Sequence, residues 1–140
     1  MHPTPPGHRD EAGFTLLEIL VVIAILGLLI GLVAPAALRQ LGGARVSVAR
    51  QGIERLNSIL DLYKLDMGTY PTTEEGLRAL VEKPTEAATW NGPYLKGGVP
   101  MDPWSHPYTY KRPSDRADHD YDLCSAGPNE GGSNSALCNP

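Results

Sequence analysis

Twenty consecutive residues without a formal charge, Ile19 to Leu38, follow a glutamate at position 18 of a 140-residue chain. As an α-helix such a run spans roughly 30 Å, the hydrocarbon thickness of a bilayer. It is too apolar to stay in water and is preceded by a group that dislikes lipid. A carboxylate on a membrane helix costs about 2.5–3.5 kcal/mol on insertion scales, so Glu18 calls for a partner. A secretory signal cut at Ala34-Pro35-Ala36 is one reading. The run is longer than a typical signal core, however, and Arg9 is offset by Asp10 and Glu11. A plain signal-anchor helix accounts for the length and leaves Glu18 alone.

Beyond Leu38 about 100 residues remain, enough for one modest core. Val46, Ala49, Ile53, Leu56, Leu60 and Tyr63 recur at helical spacing, with Arg45, Arg50, Arg55, Asp61 and Lys64 largely between them. This predicts one long helix from about Thr15 to Asp66, loosened at Pro35, which lacks an amide donor, and at Gly42-Gly43. Gly68 and Pro71 end it. Thr72-Thr73-Glu74-Glu75 has the form of an N-cap with acids in a first turn, opening a short helix through Leu77, Leu80 and Val81. Tyr108–Lys111 and Asp120–Leu123 alternate, which predicts two short antiparallel strands joined by residues 112–119. The fold class is α+β: one long helix, membranous and then amphipathic, packed on a small loop-rich domain with a short antiparallel sheet.

Composition excludes several functions. A net charge of −4 offers nothing to nucleic acid. His2, His8, His106 and His119 lack metal-ligand spacing. Asp118, Asp120 and Asp122 fail the EF-hand pattern, because its sixth and twelfth positions are Leu123 and Asn129. They read instead as the solvated face of an edge strand. Ser125 is in no nucleophile elbow and no phosphate loop is present, so no enzyme is expected. Cys124 and Cys138 read as a disulfide in an exported domain and as two thiols in the cytosol.

Gly13-Phe14-Thr15-Leu16-Leu17-Glu18 resembles the processing signal of type IV pilins and pseudopilins. The resemblance implies cleavage between Gly13 and Phe14 by a prepilin peptidase, N-methylation of Phe14, and retention of the apolar helix. It also supplies the partner: the carboxylate matching Glu18 meets the N-terminal amine of a neighbouring subunit and selects an axial register. The leader here is less basic than is usual in the family. Gly27 and Gly31 form a G-x-x-x-G that suits close helix packing, with simple lipid exposure as the alternative. Pro35 stands where similar proteins carry a proline.

Further on, Tyr70–Leu77, Lys83-Pro84, Trp90–Leu95, Asp102-Pro103-Trp104 and Pro107–Tyr110 resemble the type II secretion major pseudopilins. This implies four segments: a leader (1–13), the membrane and assembly half of the helix (14–38), its amphipathic half (39–66) and a periplasmic globular part (67–140). It further implies a homopolymer working with minor pseudopilins and an inner-membrane assembly platform, anchored in the membrane and independent of nucleic acid. A type IV pilus or competence-pseudopilus subunit and a membrane-anchored exported binding domain are the alternatives. Trp104, Tyr108 and Tyr110 are expected in the core, with a subunit-contact surface as the other reading.

In one respect the chain departs from that family, whose members usually end in an aspartate-rich calcium loop. Residues 125–137 contain no aspartate and one acid, Glu130. The expectation is no cofactor: a Cys124–Cys138 disulfide takes the ion's place. A weak calcium site built from carbonyls, Asn129 and Glu130 is the alternative.

Overall fold

The apolar run and the amphipathic stripe form a single element, α1 (Leu16–Met67). The structure, a computed structural model, describes residues 1–4, 7, 13–128 and 136–140. Thr15 starts α1: its Oγ1 accepts the Glu18 N–H at 3.2 Å and its carbonyl accepts the Ile19 N–H at 3.2 Å. Both donors would otherwise be orphaned in the first turn. Gly68 stops the helix in the left-handed region, φ 79°, where glycine has no Cβ to clash. The expected loosening is absent. α1 is helical through Pro35 and through Gly42-Gly43, because losing one donor leaves the neighbouring rungs of a 52-residue ladder intact.

The chain divides into two units, residues 1–40 and 41–140. In the first, no residue from Gly13 to Gln40 is buried. In the second, Ala49, Ile53, Leu56, Leu60 and Tyr63 of α1 are buried at spacings that line one helical face. Leu77, Leu80, Leu95, Tyr108, Tyr121 and Leu123 complete the core, with Tyr110 packed at its margin.

Thr72 and Glu75 form a reciprocal capping box: Thr72 N–H donates to Glu75 Oε2 at 3.0 Å and Glu75 N–H to Thr72 Oγ1 at 3.2 Å. The element it introduces is a 3₁₀ turn, Gly76–Leu80, rather than the expected α-helix. Gly76 at φ 59° interrupts α geometry at its start.

Three strands make one antiparallel sheet in the order β1 (Thr109–Lys111), β2 (Asp122–Ser125), β3 (Leu137–Cys138). Thr109 pairs with Cys124 and Lys111 with Asp122. The second strand therefore begins two residues later than the alternation predicts and lies centrally. An edge strand was expected there; β3, only two residues long, covers that side.

Candidate assembly helix and C-terminal clamp

The residues that the sequence singles out fall in two places. Gly13 and Phe14 precede the first helical residue, outside any helix or strand, and Phe14 is exposed. Glu18 is the third residue of α1. Its backbone N–H, and not its carboxylate, makes the bond to Thr15. Thr15 thus caps the helix through the Glu18 backbone alone, the half of a T-x-x-E capping box that does not use the carboxylate. Around Gly27 and Gly31, a Cβ would meet nothing within 4 Å. The apolar side chains from Leu16 to Leu38 are all exposed, a continuous surface that only lipid or other helices can cover.

The second place is the C-terminal end of the sheet. Cys124 on β2 and Cys138 on β3 are register partners and disulfide-bonded, with Cα atoms 4.0 Å apart. Asn129 and Glu130, proposed as weak calcium contacts, lie outside the described residues.

Two buried polar hubs flank this bond, and neither was foreseen. Asn139, next to Cys138, is buried. Its Oδ1 accepts the Leu123 N–H at 2.9 Å, and its Nδ2 donates to the Tyr121 carbonyl at 3.1 Å. Arg116 donates to the Asn139 carbonyl and Oδ1 at 2.8 and 2.5 Å, and through Nε to Asp122 Oδ1 at 2.6 Å. Asp122 also accepts from Ser114 Oγ and the Asp115 N–H, at 2.6 and 3.0 Å. These bonds, the Ser114 hydroxyl foremost and Arg116 after it, overcome desolvation and hold the Asp122 carboxyl at about 2. Asp122 is therefore no member of a solvated acidic face, because a positioned guanidinium and two further donors surround it.

Asp102 is the other hub. Its Oδ1 accepts the Trp104 and His106 N–H groups at 3.0 and 2.8 Å, closing a turn, and its Oδ2 accepts Ser125 Oγ at 2.7 Å. Both Asp102 and Ser125 are buried. In Asp102-Pro103-Trp104 the aspartate, not the tryptophan, is the structural residue. Trp104 is only half-buried and outside the core cluster, correcting the expectation of a core ring. Trp90 packs there instead, its Nε1–H donating to the Ala79 carbonyl at 2.8 Å. Tyr70-Pro71-Thr72-Thr73 is fastened to β1: Tyr110 OH donates to the Pro71 carbonyl at 2.7 Å, and Thr73 Oγ1 pairs with the Arg112 backbone.

A surface-apolar N-terminal helix that continues into the core of a small, disulfide-closed sheet domain defines the pilin-like class of fold. Within it, the chain belongs to the family "Type II secretion system (T2SS), protein G", whose pattern matches residues 36–137; the prokaryotic N-terminal methylation motif matches residues 8–34. The type II secretion system core protein G of Pseudomonas aeruginosa is 44% identical over 129 residues, spanning 89% of this chain and 90% of that one. Its counterpart in Vibrio cholerae is 43% identical over 128 residues, spanning 89% and 86%. The crystal structure of the major pseudopilin from the type 2 secretion system of enterohaemorrhagic Escherichia coli superimposes with a TM-score of 0.65 at 34% identity. That match covers 73% of this chain and 91% of the solved one. The chain is a type II secretion pseudopilin.

Proposed function

We propose that a prepilin peptidase cuts this chain between Gly13 and Phe14 and that Phe14 is then N-methylated. The helix from 14 to 38 holds the subunit in the inner membrane, with the rest in the periplasm. Identical copies polymerise on an inner-membrane platform, together with minor pseudopilins, into the filament that supports export of folded proteins across the outer membrane. The observation that carries this reading is the N-terminus of α1. The Gly13–Phe14 bond is exposed and lies outside the helix, open to a peptidase, ahead of a helix whose apolar surface is wholly uncovered.

Glu18 is the register contact, through its carboxylate and the amine freed at Phe14. Because the cap uses the Glu18 backbone, Glu18→Ala leaves the helix start intact and removes only the charge. The intact mass of mature protein should correspond to a start at Phe14 plus one methyl group. A start at Ala37 or Met1 would end this reading. Glu18→Ala should insert in the membrane and assemble poorly, and normal filament yield would show that the carboxylate sets no register.

Calcium does not suit the residues present. Residues 125–137 offer one acid, and among the described residues no three His, Cys, Asp or Glu come together to hold an ion. The nearby carboxylates, Asp102 and Asp122, are already occupied by protein donors. The disulfide serves as the clamp in its place. Melting should be indifferent to chelator and lowered by reductant, and the opposite pattern would restore calcium.

A further inference from the structure

The disulfide is not equally accessible from its two ends. Cys124 lies on the central strand β2 and is half-buried, whereas Cys138, on the two-residue strand β3 at the sheet edge, is exposed. Cys138 also lines a cleft of about 340 Å³ between β3 and α1. Arg50, Ile53 and Glu54 of α1 form one wall of this cleft, and Ala136, Leu137 and Cys138 the other. Cys124 is not among the lining residues.

Arg50 and Glu54 are both exposed, and neither has an ion-pair partner among the described residues. They stand one turn apart on α1, about 6 Å along its axis. The wall facing the cysteine thus presents a cation and an anion, each with its charge unspent, beside apolar surface from Ile53 and Leu137. A cleft of this volume suits a small organic molecule, being near the lower end of the range of roughly 300–1,000 Å³ for ligand sites. A ligand matched to it is small and carries both a carboxylate, for Arg50, and an ammonium, for Glu54. With Cys138 in the opposite wall, the reactive group such a ligand can use is a thiol.

We propose that this cleft is a thiol–disulfide exchange site, which takes small zwitterionic thiols and directs their attack to Cys138. The inference rests on the disulfide clamp proposed above and says how that clamp is opened and closed. The ligand thiolate attacks Cys138 Sγ, and the bond between the two cysteines breaks as the new sulfur–sulfur bond forms. Cys124 leaves as the thiolate and takes up the proton that the ligand thiol gave to water. A second ligand thiolate attacks the ligand sulfur of the mixed disulfide, releasing the Cys138 thiolate, which is protonated in turn, and the ligand as its own disulfide. The protein is reduced by two electrons and two ligand thiols are oxidised. Closure follows the same path backward: Cys138 attacks the oxidised ligand and Cys124 resolves the mixed disulfide, so Cys138 is the entry sulfur in both directions. Asn139 keeps its bonds to Tyr121 and Leu123 while the bond is open, so exchange proceeds on the folded subunit.

The test uses the full oxidised chain in detergent, with glutathione, a tripeptide thiol bearing carboxylates and an ammonium, as the probe. After brief exposure and alkylation with iodoacetamide, peptide mapping should place glutathione on Cys138 and the alkyl group on Cys124. Glutathione on Cys124, or on both equally, would overturn the assignment. A second comparison separates a binding site from mere exposure. Arg50→Gln should slow exchange with glutathione several-fold and leave exchange with 2-mercaptoethanol, which carries no charge, unchanged. Arg55→Gln makes the same charge change outside the cleft and should alter neither rate. An unchanged glutathione rate in Arg50→Gln, or equal slowing with both thiols, would overturn the cleft as a site. Two free thiols before any glutathione is added would overturn the clamp as well, whereas a misdirected adduct on an intact disulfide leaves the clamp standing.

Discussion

Replacing Cys124 and Cys138 together by alanine tests the clamp on its own terms. The bond joins residues separated by 14 positions. In the chain-entropy account, closing a loop of about 15 residues restrains the unfolded chain by about 3 kcal/mol. The folded state should change little, because the Asn139 side chain continues to bond Tyr121 and Leu123 and so keeps the last strand in place. The loss should therefore appear almost wholly as a gain in unfolded-state freedom. For a domain of about 100 residues, 3 kcal/mol corresponds to a fall in Tm of about 12–24 °C. The assay is thermal and denaturant melting of residues 41–140, which contain every buried core residue, with near-ultraviolet circular dichroism to confirm native packing. Combining the alanines with Asn139→Ala should give a loss different from the sum, since both devices hold the same two-residue strand. Unchanged melting in the double alanine variant would refute the argument. Native packing lost at low temperature would show that the bond acts on the folded state instead.

Other outcomes follow from the packing and the charges. Trp90→Ala should lower stability by about 2–4 kcal/mol, removing a packed ring and a hydrogen bond, whereas Trp104→Ala should change it by less than about 1 kcal/mol; equal losses in melting would contradict the placement of the two rings. A Cβ on Gly52 would overlap the Tyr108 hydroxyl, so Gly52→Ala should destabilise by about 1–3 kcal/mol, and adding Tyr108→Phe should recover most of it. Asp122 is held at about 2, below its ordinary value near 4, so its contribution is complete above about pH 4 and is lost as pH falls toward 2. That shift is worth about 2 kcal/mol, and Asp122→Asn should flatten the acid limb of the stability profile in this range.

The parts of the fold written as periodicity could be read directly. A charge-free run announces a membrane-length helix, and the Ala49–Tyr63 stripe announces the face it buries. Punctuation was equally clear at Gly68 and at the Thr72–Glu75 box. β3 carries no such signal: two residues cannot alternate, and what makes Leu137–Cys138 a strand is a disulfide and the Asn139 amide. Asp122 was misplaced for a related reason. Its neighbours Asp118 and Asp120 suggest a solvated row, and only the fold brings Arg116 and Ser114 to it. Asp102 beside Trp104 shows the same limit. Size drew attention to the ring, while the turn and the Ser125 bond that bury the carboxylate depend on a residue 23 positions away.

Asn139 has a consequence for how the molecule breathes. Its side-chain amide takes the place of a peptide group, donating to the Tyr121 carbonyl just before β2 and accepting from the Leu123 N–H within it, while its own N–H donates to the Leu123 carbonyl at 2.8 Å. Residues beside so short a strand ordinarily fray and trade their amide hydrogens with water almost at once. Here the Leu123 and Asn139 amides can exchange only when the sheet opens as a whole. Their hydrogens should be among the slowest in the domain, on the same clock as the Leu56 and Leu60 amides of α1.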